Sequence, residues 1–311
     1  AFNEVGHSSD GGWEHIGDVL QRVVKDAELA QKGEKTNRII TRVPEIDRMD
    51  LIHRGGILVI AARPGMGKTT IAQYLTGLWA ENGERIGVFS GETSSDELTT
   101  KHLASEARIN SRLIRNGARF DWNNLTAGAN TLNKKPIWID DRSNRKTSIV
   151  RAIRRGRQRH GLTMIVLDYL QRFIPYDDPV KEINQLLAAV IAACREEPRM
   201  ALVALSQLNR TVEKRPDRRP QMSDLKESGN IEQDADVIAF PFRGGYYRER
   251  GVDGFKNADL GLMNIYLGKA RNDSMRGAEL AWDNLRGQIM GPMSARTQES
   301  TPPANRELDI T

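Results

Sequence analysis

The stretch ARPGMGKTT (62–70) sets two glycines, a lysine and two hydroxyls in the order that suits a polyphosphate. Gly65 and Gly67 let the backbone curl so that successive amides point inward, and a helix opening at this point adds its partial positive charge. Lys68 would reach the β- and γ-phosphates and the Thr69 hydroxyl would hold Mg²⁺. The residues from the loop into the helix, Arg63, Pro64, Gly65, Met66, Gly67, Lys68, Thr69 and Thr70, form the candidate nucleotide cradle. Ala62 takes the place of the usual first glycine.

Such a cradle needs a carboxylate for the metal, and TMIVLD (163–168) ends in Asp168 at the tip of an apolar run. An unpaired charge there costs several kcal/mol, so a metal role explains it better than packing does. Tyr169 follows, so the base that activates water must come from elsewhere. Glu92, just past IGVFS (86–90), is placed to orient the attacking water, or is simply an exposed loop acid beside a helix start. Gln207, at the end of MALVALS (200–206), could feel the γ-phosphate or serve only its turn. Lys269 and Arg271 could steady transition-state charge in their own subunit or across an interface, surface solvation being the alternative.

The elements that must position these groups are short. ILVIAA (57–62), IGVFS, PIWID (136–140), TMIVLD, MALVALS and DVIAF (236–240) are apolar on both faces, as buried parallel strands require. Helical patterns separate them, which predicts an α/β protein with a mostly parallel twisted sheet flanked by helices. Residues 69–81 place Ile71, Ala72, Leu75, Leu78 and Trp79 on one face and stop at Asn82-Gly83, while Ser94 and Glu97 have capping-box spacing. MNIYL (263–267) and AELAW (278–282) read as a carboxyl-terminal β-hairpin with a long loop.

The chain has 311 residues, 46 Lys plus Arg against 41 Asp plus Glu, and a net charge of +5. That excess is compatible with a polyanionic partner without proving one. A single cysteine, Cys194, excludes an intrachain disulfide and a cysteine-based zinc cluster, which suggests a reducing, cytoplasmic setting. No membrane partner is expected, because no apolar run of membrane-spanning length and no secretory leader pattern occurs. Residues 1–11 read as a disordered lead-in and 291–311 as a disordered tail; 12–36 read as an amphipathic helix plus linker, and 37–290 as the globular body. The helix stripe Ile16, Val19, Leu20, Val23, Val24 and Ala27 must dock on its own chain or on a neighbour.

Two basic stretches stand out. Residues 142–160 carry eight Arg or Lys and no acid, most simply a solvated helix face. Arg210, Lys214, Arg215, Arg218 and Arg219 lie just past Gln207, ahead of SDLKESGNIEQDAD, whose Lys226, Ser228 and Gly229 could meet phosphates. No aromatic stacking platform is evident, so a nucleic acid would be held chiefly by its backbone.

Taken in order and spacing, IAARPGMGKTT, Ser90-Gly91-Glu92, IVLDYLQ (166–171), LVALSQLNR (202–210), SDLKESGNIEQDADVI (223–238) and GKARN (268–272) resemble the carboxyl-terminal motor domain of DnaB-type replicative helicases. The resemblance covers residues 37–290. It implies a RecA-like P-loop NTPase fold and a homohexameric ring that uses ATP and Mg²⁺ to move 5′ to 3′ on single-stranded DNA and unwind duplex. A RecA-like DNA-dependent ATPase without helicase activity, serving recombination, loading or regulation, is the alternative. Carried over by position, the resemblance supports Lys68 and Thr69 in the loop, Glu92 as base, Asp168 on the metal and Gln207 as γ-phosphate sensor. It makes Lys269 and Arg271 cations acting on a neighbour's ATP, and it places Lys226, Glu227, Ser228 and Gly229, with Arg210 nearby, on the DNA. The helix before residue 32 would be a linker helix docking on the adjacent subunit, and primase or a helicase loader would be further partners. The family's helical amino-terminal domain has no counterpart in the 36 residues ahead of the match, the segment after IVLDYLQ is short, and Lys226 stands where relatives often have arginine.

Overall fold

The computed structural model describes residues 14–32, 37–174, 178–196, 198–228, 231–270 and 277–293. Contacts divide the chain near Ile39 into a small leading unit and a large body. The leading unit holds one helix, Ile16–Gln31, whose apolar residues Ile16, Leu20, Val23 and Val24 are all exposed. Of the expected helix and linker at 12–36, residues 12–13 and 33–36 fall outside the described residues.

The body is built on a nine-stranded sheet: β1 (Ile57–Ala62), β2 (Ile86–Ser90), β3 (Ile137–Asp140), β4 (Met164–Asp168), β5 (Ala201–Gln207), β6 (Val237–Phe242), β7 (Leu262–Lys269), β8 (Gly277–Asp283) and β9 (Gln288–Pro292). Their order across the sheet is β3-β2-β4-β5-β1-β6-β7-β8-β9. The six strands from β3 to β6 run parallel, and β6 through β9 pair antiparallel. Strands β1, β2, β4 and β6 are buried at every position, which is why each reads as an unbroken apolar run.

The predicted hairpin is the first part of a larger unit. β7 and β8 pair as expected, but β9 adds a further strand. QIMGP escapes periodicity because Met290 is exposed and Gly291 sits at φ 128°, so no alternation marks it. β9 also carries ordered chain two residues beyond the expected boundary at 290, and residues 294–311 lie outside the described residues.

Helices cover both faces. The helix Lys68–Glu81 buries Ile71, Ala72, Leu75 and Trp79 and ends at Asn82, followed by Gly83 at φ 88°, where a side chain is strained. Ser94 caps the helix Ser95–Glu106 by accepting from the Glu97 amide at 3.2 Å. On the other face, helices Lys146–His160 and Pro179–Arg195 bury Ile149, Ile153, Leu186, Leu187 and Val190 against the inner strands. Cys194 belongs to that core, and burial pushes its thiol up to about 12.

His102 lies buried on the Ser95–Glu106 helix, and desolvation, with the Lys135 cation adding to it, pushes its imidazole down to about 4. Above pH 6.5 both folded and unfolded chains carry it neutral, whereas below that the unfolded chain takes up the proton first. Stability therefore falls as pH drops from 6.5 to 5, by about 2 kcal/mol from this group. Denaturant titrations of the protein and of His102→Gln across that window check this, with the substitution flattening the slope.

Candidate nucleotide site

The register brings the predicted chemistry to one edge of the sheet. Ala62, the last residue of β1, is level with Gln207 of β5, and Ser90 of β2 is level with Asp168 of β4. The Gly91 amide donates to the Asp168 carbonyl at 2.8 Å, which seats Glu92 just above that rung. Ligands of open parallel sheets sit at these carboxyl ends.

Between them runs the loop Arg63–Gly67. Gly65 and Gly67 adopt φ 83° and 88°, a left-handed backbone that favours glycine. A Cβ on Gly65 would run into the Tyr246 ring, and one on Gly67 would stand 2.6 Å from the Met263 methyl. The loop opens directly into the Lys68–Glu81 helix, so its amides and the helix terminus face the same space.

Lys68 and Asp168 share that space. The ammonium lies 3.7 Å above the Tyr169 ring, and burial pushes it down to about 8 against the pull of Asp168 and Glu92. Burial also pushes the Asp168 carboxyl up, opposed by Lys68 and by the Thr69 hydroxyl, which donates to it at 3.4 Å. Each charge thus lowers the cost of burying the other. The arrangement offers a cation for phosphate oxygens and a hydroxyl–carboxylate pair for a divalent ion, with Glu92 beside them.

The other loop residues divide. Pro64 is exposed, Met66 packs in the core with Phe242 and Tyr247, and Thr70 lines a groove with Lys101 and Arg286. Arg63 is turned away from the cradle: its guanidinium donates to the Leu208 carbonyl at 2.8 Å and to Glu213 at 2.9 Å. It staples the loop to the segment after β5.

Lys269 stands elsewhere. It pairs with Ile238 at the start of β6, level with Val59, so it is three residues, about 10 Å, short of the end of β1 and two strands aside. Its ammonium donates to the Glu232 carbonyl at 2.6 Å. Arg271 lies outside the described residues.

Of the expected DNA contacts, Arg210 is exposed at the head of the turn Arg210–Lys214. Lys226, Glu227 and Ser228, of which only the backbone is described, lie on the short turn Met222–Ser228, and Gly229 lies outside the described residues. That turn is tied to the β5 tip through the Asn209 amide, which donates to the Asp224 carbonyl at 3.1 Å. Buried Asp224 is fixed by Arg215 at 2.6 and 2.8 Å. The basic loop is partly spent internally, because Arg218 covers Tyr247 and Arg219 covers Tyr266. Along the helix Lys146–His160, Arg154 and Arg157 bridge to Glu196, while Arg151, Arg155 and Arg159 are exposed, as a solvated face requires.

Other residues at the site have no sequence signal. The Arg243 guanidinium lies 3.9 Å over the Trp282 ring and reaches the Gly65 carbonyl at 3.4 Å. Trp282 also approaches Gly67, so this stack forms one wall of the cradle.

The comparisons with known proteins decide the family. The model for the DnaB-like helicase C-terminal domain matches residues 39–289. This chain belongs to that family. It is 35% identical over 283 residues to the replicative DNA helicase DnaB of Geobacillus stearothermophilus, covering 88% of this chain and 61% of that protein. It is 34% identical to the replicative DNA helicase DnaC of Bacillus subtilis (strain 168), covering 87% and 60%. The chain thus spans about three fifths of the length of these curated relatives. Among solved structures, one described as an ATPase domain superposes with a TM-score of 0.77 at 29% identity, over 91% of this chain and 99% of that one. A DnaB-like replicative helicase, whose interactions with primase were also described, superposes at 0.75 and 29% identity, over 88% and 68%. The RecA-like reading of the fold holds, with the antiparallel strands of the DnaB-like domain at its carboxyl end.

Gly65→Ala tests the cradle directly. The left-handed φ costs about 1–2 kcal/mol for any L side chain and the added methyl meets Tyr246, so loop and aromatic must shift. Titration with a fluorescent ATP analogue should show at least about tenfold weaker binding, the equivalent of that strain.

Proposed function

We propose that this chain is the ATPase motor of a replicative DNA helicase, which hydrolyses ATP at the Gly65–Thr70 cradle to drive a ring along single-stranded DNA and displace the second strand. The observation that carries the reading is that Lys269 stands apart from the rest of the chemistry on the same sheet. Lys68, Thr69, Asp168 and Glu92 gather at the carboxyl ends of the strands, whereas Lys269 is level with the middle of β1, two strands aside, and bonded to a carbonyl ahead of β6. A cation so placed serves a second copy of the chain, and a head-to-tail contact repeated around a closed rotation makes a ring. The family's homohexamer and 5′ to 3′ direction follow the same reading, with the helix Ile16–Gln31 docking its exposed stripe on the next subunit.

Within the site, Lys68 binds the β- and γ-phosphates, Glu92 orients and deprotonates the attacking water, and Gln207 contacts the γ-phosphate. The Arg243–Trp282 stack is a wall for the nucleotide base. Mg²⁺ supplies charge neutralisation on the phosphate oxygens when bound. Thr69 and Asp168 would hold it, and a site with few protein ligands suits an ion that keeps several waters. Among the described residues no group of three or more His, Cys, Asp or Glu could hold a metal by itself. Lys226, Glu227, Ser228, Gly229 and Arg210 meet the DNA, and Arg271 acts with Lys269 on the neighbour. Partners of the whole protein include primase or a helicase loader, and its setting is the cytoplasm. No helix of the described residues is long and apolar enough to cross a membrane.

ATP turnover should be stimulated by single-stranded DNA and lose that stimulation at high salt. Glu92→Gln and Lys269→Ala should each abolish it. Mixing the two inactive variants should restore part of the rate, because an intact Glu92 then meets an intact Lys269 across some interfaces. Failure of complementation would place Lys269 outside a shared site, and turnover indifferent to DNA would favour an ATPase without helicase activity.

A further inference from the structure

Strands β4 and β5 pair from Met164 with Ala201 to Leu167 with Ala204 and no further. β4 then ends at Asp168 and folds into the short turn Leu170–Arg172, while β5 runs on to Gln207. On one side the β5 tip is held by β1, where Ala62 is level with Gln207 and accepts the Leu208 amide at 3.1 Å. On the other side the backbone of β4 has already left.

One side chain occupies that gap. Gln171 Oε1 accepts the Gln207 N–H at 3.2 Å, and Gln171 Nε2 donates to the Gln207 carbonyl at 3.4 Å and to Ser206 Oγ at 3.1 Å. A primary amide carries an acceptor and two donors, so it can satisfy both the N–H and the C=O of one residue, as a neighbouring strand does.

The turn that carries Gln171 touches the rest of the site. Tyr169 lies under the Lys68 ammonium. A Cβ on Gly91 would meet Arg172 Cβ and the Phe173 ring, each at 2.9 Å, so the same turn packs against the residue that seats Glu92. A five-residue segment, Tyr169–Phe173, is thus in contact with the phosphate lysine, the base's support and the β5 tip.

We infer that Gln171 is a positioning residue: its side-chain amide extends the sheet past the end of β4 and fixes Gln207 at the phosphate edge, in register with the turn that contacts Lys68 and Gly91. The inference rests on the reading of Gln207 as the γ-phosphate sensor. Without Gln171, Gln207 keeps its β1 neighbour and loses the second, so the tip gains freedom while the nucleotide cradle is untouched.

The test compares Gln171→Ala, Gln207→Ala and the double variant as full chains, reading DNA-stimulated kcat, the Kd of a fluorescent ATP analogue, and thermal melting. Gln207→Ala should lose stimulated turnover. Gln171→Ala should lower stimulated kcat by about 10- to 100-fold, the scale of a misplaced catalytic contact. Analogue Kd should stay within about twofold, since binding that is the same in ground and transition state is unaffected. The double variant should be no slower than Gln207→Ala. Gln171→Glu keeps the acceptor for the Gln207 N–H but loses the donor, and should fall between; it is the readout if Gln171→Ala does not fold. Normal stimulated kcat in Gln171→Ala or Gln171→Glu beside an inactive Gln207→Ala, or a double variant slower by the product of both effects, overturns the positioning role. Normal stimulated kcat in Gln207→Ala instead overturns the sensor reading, and the inference with it.

Discussion

The structure turns on the burial of two opposite charges, Lys68 and Asp168, at the carboxyl edge of a parallel sheet. Neither is stable there alone, since desolvation drives both toward their neutral forms. Each favours the charged form of the other against that burial, with the Thr69 hydroxyl between the helix and the carboxylate. That mutual dependence ties the P-loop helix to β4 and fixes which strands must lie near which. β2 supplies Glu92, whose charge acts on both members of the pair, β1 supplies the loop, and β5 carries Gln207 to the same edge, because parallel strands collect their carboxyl ends there.

The second constraint is direction. Parallel strands collect their carboxyl ends at one edge, so a residue that ends an antiparallel strand finishes toward the other edge. β7 runs against β6, and Lys269 at its end is carried away from its own cradle. Switching from parallel to antiparallel pairing at β6 therefore separates the phosphate chemistry from a cation that could complete it. It also brings β8 back past the loop, which places Trp282 beside Gly67 and under Arg243.

Between edge and interior, short polar connections do the joining. Asn209 ties the end of β5 to buried Asp224, Arg215 holds Asp224, and Gln171 spans the gap that β4 leaves. The first is a backbone bond and the second an ion pair, while Gln171 is a side chain standing in for a backbone contact where the strands diverge. A displacement at the β5 tip would be felt at the turn that leads to Lys226, and also at the turn that carries Tyr169.

The phosphate loop, the buried carboxylate, the strand runs and the first helix faces were legible in the residues because each is a local pattern: glycine for positive φ, an unbroken apolar run for a strand buried on both faces, a three-and-four period for a half-buried helix. The helix cap at Ser94 and the stop at Asn82-Gly83 belong to the same class. What the residues left open was everything set by register and by long-range packing. Arg63 sits inside the loop motif, yet its guanidinium serves Leu208 and Glu213, because the strand order puts β5 against β1. β9 carries no alternation and exists because β8 offers it an edge. Gln171 ends the IVLDYLQ motif and Arg243 and Trp282 belong to none, yet nothing along the chain gives any of them a task; only the folding of β4, β6 and β8 around one site does. Sequence determined the chemistry of this protein, since residue type and local spacing decide what a group can bind or transfer. Tertiary structure decided which groups share a site, since that depends on strand order and direction, which no local spacing encodes.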